Sequence, residues 1–209
     1  MVERMWRVPA RIETERLVLR CYVSGDAAAM DEVIPANREH LLTFMPWARD
    51  EPLSAEQRAA LIERFIAEYN EGSDFTMGIF TRGESTHGGG QYIGGTGMHV
   101  REDHLEIGYW IAEQAQGHGL VTEAAGALTR VALQFAFAPF VAICCDPENI
   151  RSRGVPQRLG YALSGMKTVD GEDHEFWQLT QSAFLDSPAS AEPKPLLYDA
   201  NGSPVAWVV

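Results

Sequence analysis

The chain has 209 residues, 45% of them hydrophobic and 22% charged, with a formal net charge of −12. That length fits one ordinary domain with a proper core, and the acidic balance argues against a nucleic-acid partner, whose phosphates require Lys and Arg, while leaving room for amine substrates. No run of about 18 apolar residues is there to span a bilayer, Met1 to Arg7 hold no apolar leader signature, and three cysteines suggest no disulfide framework, so the expectation is a cytoplasmic protein.

Arg16 to Tyr22 alternates loosely and predicts a first strand. A helix starts within Gly25 to Met30, with Asp26 near its beginning, and Pro35 breaks or kinks it. Ser54-Ala-Glu-Gln57 is a capping box, and Leu61, Ile62, Phe65, Ile66 and Tyr69 behind it form a helical stripe best explained as core packing. Phe75 to Thr81 reads as a strand, Gly83 to Gln91 as a hairpin loop, and Tyr92 to Arg101 as a strand whose Gly94, Gly95 and Gly97 imply a bulge or close backbone approach. Leu105 to Ala112 is a further strand, and Leu120 to Phe137 runs apolar at helical spacing. A strand at 140–146, a helix at 150–159 and a last strand at 174–181 follow. Cys144 and Cys145 are adjacent without a matching Cys or His pair, so no metal site is expected. These elements predict an α/β (α+β) domain over residues 1–186, with a mixed, mostly antiparallel sheet flanked by helices.

Ser187 to Pro195 is rich in Ser, Ala and Pro and reads as a linker. Residues 196–209 then form a C-terminal extension, a candidate hairpin around Asn201-Gly202. Its apolar residues need cover, either on their own domain or on a second subunit, which is the weak motive for expecting a homodimer.

The segment that bears most on function is Glu106-Ile-Gly-Tyr-Trp-Ile111, followed by Gln116-Gly117-His118-Gly119-Leu120. It reads as a strand, a glycine turn and a helix start. Glycines let a backbone turn tightly and a ligand approach closely, and a helix N-terminus offers N–H groups and partial positive charge to an anion. Position 122 is Thr, so there is no Gly-x-Gly-x-x-Gly, and no Gly-Lys-Ser/Thr follows as in a P-loop. By itself the turn is equally consistent with a plain structural bend. A second segment, Asp146-Pro-Glu-Asn149-Ile-Arg-Ser152, precedes Leu159-Gly160-Tyr161. The ordered array, spanning about residues 10 to 185, resembles the GCN5-related N-acetyltransferases (GNAT), and within them the Rim-type ribosomal-protein alanine acetyltransferases.

That resemblance implies transfer of an acetyl group from acetyl-CoA to a primary amine, on a peptide or protein N-terminus or on a small molecule. It implies that the pyrophosphate lies on backbone N–H groups of Gln116, Gly117, His118, Gly119 and Leu120, with Thr122 as a hydroxyl donor. Trp110 and Ile111 would pair with the pantetheine arm, Asn149 would contact it, and Ser152 would stand near the CoA sulfur to protonate the leaving thiolate. Asn149 and Ser152 are equally suited to capping the helix they begin. Phe44 and Trp47 would wall the acceptor site. Many relatives carry a tyrosine acid where this chain has Pro156, so the proton donor is open.

Glu106 is the preferred base, because alternation puts it on one face with Gly108 and Trp110; an ordinary strand-edge carboxylate is the competing reading. Asp103, His104 and His174 are further titratable options. An acyl-CoA-binding module with little catalysis is the alternative function, and a structural protein with a plain turn is the third.

Overall fold

The computed structural model describes residues 6–83, 88–169 and 171–207. Residues 84–87 of the expected hairpin loop, and most of the N-terminal segment read for a leader, lie outside the described residues.

Ten strands form one sheet, in the order β10-β9-β1-β2-β3-β4-β5-β6-β8-β7. β2 (Leu17–Cys21) falls within the strand expected at Arg16 to Tyr22, and a short β1 (Arg11–Glu13) precedes it and pairs with it antiparallel after the chain turns back. β3 (Asp74–Thr81), β4 (Tyr92–Val100) and β5 (Leu105–Ile111) continue as an antiparallel meander. β5 then pairs in parallel with β6 (Phe140–Cys145) through the crossover helix α4, and β6 pairs antiparallel with β8 (Glu172–Thr180). The sheet is thus mixed and mostly antiparallel.

Alternation along each strand sorts the core into two layers. Leu17, Leu19, Met77, Ile79 and Ile107 face α4 (Leu120–Arg130) and α5 (Ile150–Leu159), and are buried with Ala124, Leu128, Val155 and Leu159. Val18, Tyr22, Phe80 and Tyr92 face the other way, onto α1 (Ala27–Ala36) and α3 (Ala55–Glu71), where they meet Met30, Ile34 and Ile62. Pro35 ends α1 rather than kinking it, since it stands in the last turn and Asn37 is the cap. The capping box of Ser54 and Gln57 forms as its pattern requires: Gln57 N–H donates to Ser54 Oγ, and Ser54 N–H to Gln57 Oε1. A buried, two-pronged ion pair between Arg20 and Asp26, at 2.7 and 2.8 Å, fixes the start of α1 against β2.

Three regions differ from the sequence reading. The run expected as one helix to Phe137 is α4 followed by a π-helical turn, Val131–Phe135, beyond which Phe137 holds φ 56°. A strand went unread: β7 (Ala162–Val169) pairs with β8 as the sheet's exposed outer edge. The presumed linker is packed, with the helical turn α7 (Pro188–Ala191) and a fully buried Ala189, while the buried Arg130 donates to the carbonyls of Ser190 and Glu192, both at 2.7 Å. Beyond it β9 (Leu196–Tyr198) pairs with both β1 and β10 (Pro204–Val205), with Leu197 buried and Val205 and Trp207 packed against the core while Leu196 stays exposed.

Candidate active site

Pairing between β5 and β6 stops after Leu105–Val141 and Glu106–Ala142. Beyond that point the two strands diverge. A cleft of about 1070 Å³ opens there, with Gly108, Tyr109 and Trp110 on one bank and Cys144, Cys145, Asp146, Asn149 and Ser152 on the other. It runs on beneath the loop after α2 (Arg38–Leu41), where Phe44 and Trp47 stand.

At the α4 end the chain makes the tight turn the glycines foretold. Gly117 and Gly119 hold φ 79° and 75°, a conformation that costs a side-chain-bearing residue strain. A Cβ on Gly117 would meet nothing within 4 Å, so the turn's outer face is open space, and Gly119 brings no side-chain cap to the first N–H groups of α4. His118 is exposed; its carbonyl accepts from Arg16 Nη1 at 2.8 Å. Arg16 Nε is also paired with Glu123 at 2.6 Å, which anchors the turn to β2. Thr122 Oγ1 accepts from Arg158 Nε at 3.2 Å. Gln116 is bonded by Arg151 and touches the ring of His40. Arg16, Arg151 and Arg158 thus gather around the helix start in an otherwise acidic protein. Sequence reading missed all three, because they come from two distant segments; their excess over the acidic background was the available signal.

Strand β5 keeps an unbroken register against β4 from Leu105 to Ile111, so Glu106, Gly108 and Trp110 do share a face. Ile111 is buried, and Leu120 packs against the core. Trp110 packs at a tilt on Trp47 with centroids 5.9 Å apart, and edge-on against Tyr92, also at 5.9 Å. Its indole lies over Gly95, where a Cβ would come within 2.5 Å of Nε1.

Asn149 accepts from the backbone N–H of Ser152 at 3.0 Å, which is the capping role weighed against ligand contact. Ser152 Oγ donates to Tyr109 Oη at 3.2 Å, and Tyr109 donates to the Ser152 carbonyl at 3.1 Å. Burial pushes the Tyr109 hydroxyl pKa up, so it stays protonated.

Glu106 does line the cleft, but its surroundings change its reading. It is bonded to Arg101 at 2.7 Å and to Lys167 at 2.9 Å. Burial alone would raise its pKa; the two cations outweigh it and lower it to about 2. So acidic a carboxylate is a poor proton acceptor at neutral pH, and the assignment of Glu106 as base is weakened for that reason. His104 and Asp103 bond one another at 2.7 Å, with the His104 ring stacked on Phe140 away from the cleft. His174 reaches the cleft wall.

A second pair, missed in the sequence, stands beside Glu106. His99 on β4 is the register partner of both Asp74 on β3 and Glu106 on β5. Its Nδ1 is 2.9 Å from Asp74 Oδ2. The hairpin register was the signal: with β3 and β4 paired, an acid opening one and a histidine near the end of the other fall opposite.

The model of the acetyltransferase (GNAT) domain matches residues 16–162. The chain belongs to the GNAT acetyltransferase family. It is 29% identical over 184 residues to the ribosomal protein uS5-alanine N-acetyltransferase of Escherichia coli K12, covering 81% of this chain and 90% of that one. It is 28% identical over 160 residues to YdaF of Bacillus subtilis strain 168, named as a candidate ribosomal N-acetyltransferase, covering 75% of this chain and 83% of that one. In fold this GNAT protein is similar to the Microcin C7 self-immunity acetyltransferase MccE solved with acetyl-CoA and AMP, at 18% identity and a TM-score of 0.69 over 80% of this chain and 93% of that chain.

Proposed function

We propose that this GNAT enzyme moves the acetyl group of acetyl-CoA to a primary amine, by direct attack with both substrates bound. The carrying observation is one continuous cleft: it passes from the splay between β5 and β6 into an aromatic-walled chamber beneath Trp47. A donor site and an acceptor site joined in this way suit a two-substrate transfer better than a module that only binds acyl-CoA.

The residues fit the donor. The N–H groups of the Gln116–Leu120 turn and the hydroxyl of Thr122 would hold the pyrophosphate, with Arg16, Arg151 and Arg158 supplying charge. The outer edge of β5 at Trp110 and Ile111, past the end of its pairing with β6, would take the pantetheine amides. Asn149 and Ser152 stand on the opposite bank, and Ser152, backed by Tyr109, would return a proton to the departing thiolate.

The acceptor chamber combines aromatic walls with buried polar groups, among them Glu51, Arg58 and Thr96. Arg58 is fully buried, paired with Asp31 and Glu51, and its Nη1 has no hydrogen-bond partner among the described residues. This supports an amine whose neighbouring group is apolar and carries a hydrogen-bond acceptor, such as a peptide N-terminus with its carbonyl. The uS5-alanine relative favours a protein N-terminus over a small-molecule amine. The protein works in the cytoplasm on this reading.

Calorimetric titration with acetyl-CoA tests the donor site, with Gly119→Glu as control. Binding by the wild type and its loss in the variant are expected; no binding by folded wild type would overturn the proposal.

A further inference from the structure

Acetyl transfer needs a neutral amine, and an ammonium reaching this cleft must lose a proton to something. Glu106, with two cations on its carboxylate, is ill suited. One row across the sheet holds the alternative: Asp74, His99 and Glu106 stand side by side on β3, β4 and β5. Thr76 Oγ1 donates to Asp74 Oδ1 at 2.9 Å and holds that carboxylate in place. Asp74 faces His99 Nδ1 at 2.9 Å. An acid against Nδ1 selects the tautomer with its proton there, which leaves the Nε2 lone pair free. Nε2 lies above Gly108, on the cleft lining shared with Glu106 and Cys144. The imidazole is neither enclosed nor fully exposed, its side chain being 33% accessible.

We propose that His99, oriented by Asp74, is the base that takes the proton from the acceptor ammonium. His99 is then a catalytic residue and Asp74 a positioning one. Nε2 accepts one proton from the ammonium, and the imidazolium is stabilised by Asp74. The freed nitrogen lone pair bonds to the acetyl carbon. As the carbon–sulfur bond breaks, the sulfur leaves as thiolate, and the nitrogen's second proton passes through water to Ser152, replacing the one that Ser152 gives the thiolate. The thiolate takes up a proton from the Ser152 side, and one proton per turnover goes to solvent through His99. The charged and titratable groups sharing this end of the cleft are Asp74 on β3, Arg101 just past β4, Glu106 on β5, Cys144 on β6, Lys167 on β7 and His174 on β8. Arg101 and Lys167 are both committed to Glu106.

This inference rests on the acetyl-transfer reading above. The test measures kcat/KM against pH for wild type, His99→Gln and Asp74→Asn, at saturating acetyl-CoA. The acceptor is the best of a panel of synthetic peptides with varied N-terminal residues and small primary amines. His99→Gln is expected to lose on the order of 10²-fold in kcat/KM at pH 6.5. The deficit should shrink above about pH 8, where an α-amine sheds its proton unaided. Asp74→Asn should show a smaller deficit of the same shape, and neither variant should change acetyl-CoA binding by calorimetry. A wild-type-like profile in His99→Gln, or a deficit equal at every pH, overturns the assignment while leaving acetyl transfer standing. A folded wild type that binds acetyl-CoA yet acetylates no amine overturns both.

Discussion

The imidazole of His99 stands over Gly108, its Nε2 2.9 Å from the position a Cβ there would take. The backbone at Gly108 is ordinary strand, without the positive φ that would demand glycine, so the side chain is missing to make room for the ring. Gly108→Ala should therefore displace His99 at modest cost, because the far end of one side chain swings aside rather than backbone. A stability loss under about 1 kcal/mol is expected, with kcat down roughly tenfold or more and acetyl-CoA affinity retained. Denaturant unfolding beside steady-state kinetics checks it. Stability and turnover falling together would mean the glycine serves the fold instead.

Glu106 gives a pH prediction whose sign is fixed. Its folded pKa of about 2 lies below the ordinary 4.5. A depressed carboxylate adds stability above its unfolded pKa and loses it as pH falls toward the folded value, here from about 4.5 to about 2. At 1.36 kcal/mol per unit the ceiling is about 3 kcal/mol, which relaxation of the half-exposed Arg101 and Lys167 will lower. Glu106→Gln should lose stability at pH 7, and its gap to wild type should close as pH falls from about 4.5 to about 2. The acid limb of its pH profile should persist, since the base is another residue. A gap that stays constant on acidification would contradict the pairing.

How much of this was readable beforehand depends on whether the signal was local. The turn at Gly117 and Gly119, the α3 capping box and the meander all rest on residues within a few positions of each other, and the sequence displays them. Strand β7 is exposed along nearly its whole length, so it has no apolar alternation to announce it. The packed 187–195 segment depends on Arg130, some 60 positions away. His99 lay in a strand marked by its glycines, and its meaning comes from Asp74, 25 positions earlier. Proline disfavours a helix interior, yet α5 runs from Ile150 to Leu159 with Pro156 buried in it.

The arginine ring predicts a split between acyl donors. Arg158 sits beside Thr122 at the start of α4, where it would meet phosphate rather than thioester. Arg158→Glu should weaken acetyl-CoA binding about tenfold or more, through loss of one charge-assisted contact and added repulsion. Turnover with S-acetylpantetheine, which lacks the nucleotide phosphates, should be nearly unchanged. Equal losses with both donors would place Arg158 in the support of the fold.

The C-terminal segment is predicted to be part of the domain, although its composition reads as linker and tail. Ala189 is fully buried and Leu197 is 2% exposed, so cutting the chain after Asp186 strips apolar cover from the α4–α5 layer and two strands, β9 and β10, from the sheet edge. It also removes the two carbonyls that satisfy Arg130, leaving a buried cation short of partners. Together these should cost about 3–5 kcal/mol, which at this chain length lowers Tm by roughly 10 °C or more. Arg130→Met in the full-length protein separates the two causes, since it keeps most of the buried stem and removes the stranded charge. The truncation made in an Arg130→Met background should therefore lose less than the truncation alone. Differential scanning calorimetry on all four proteins gives the coupling directly, and an unchanged Tm for residues 1–186 would restore the linker reading.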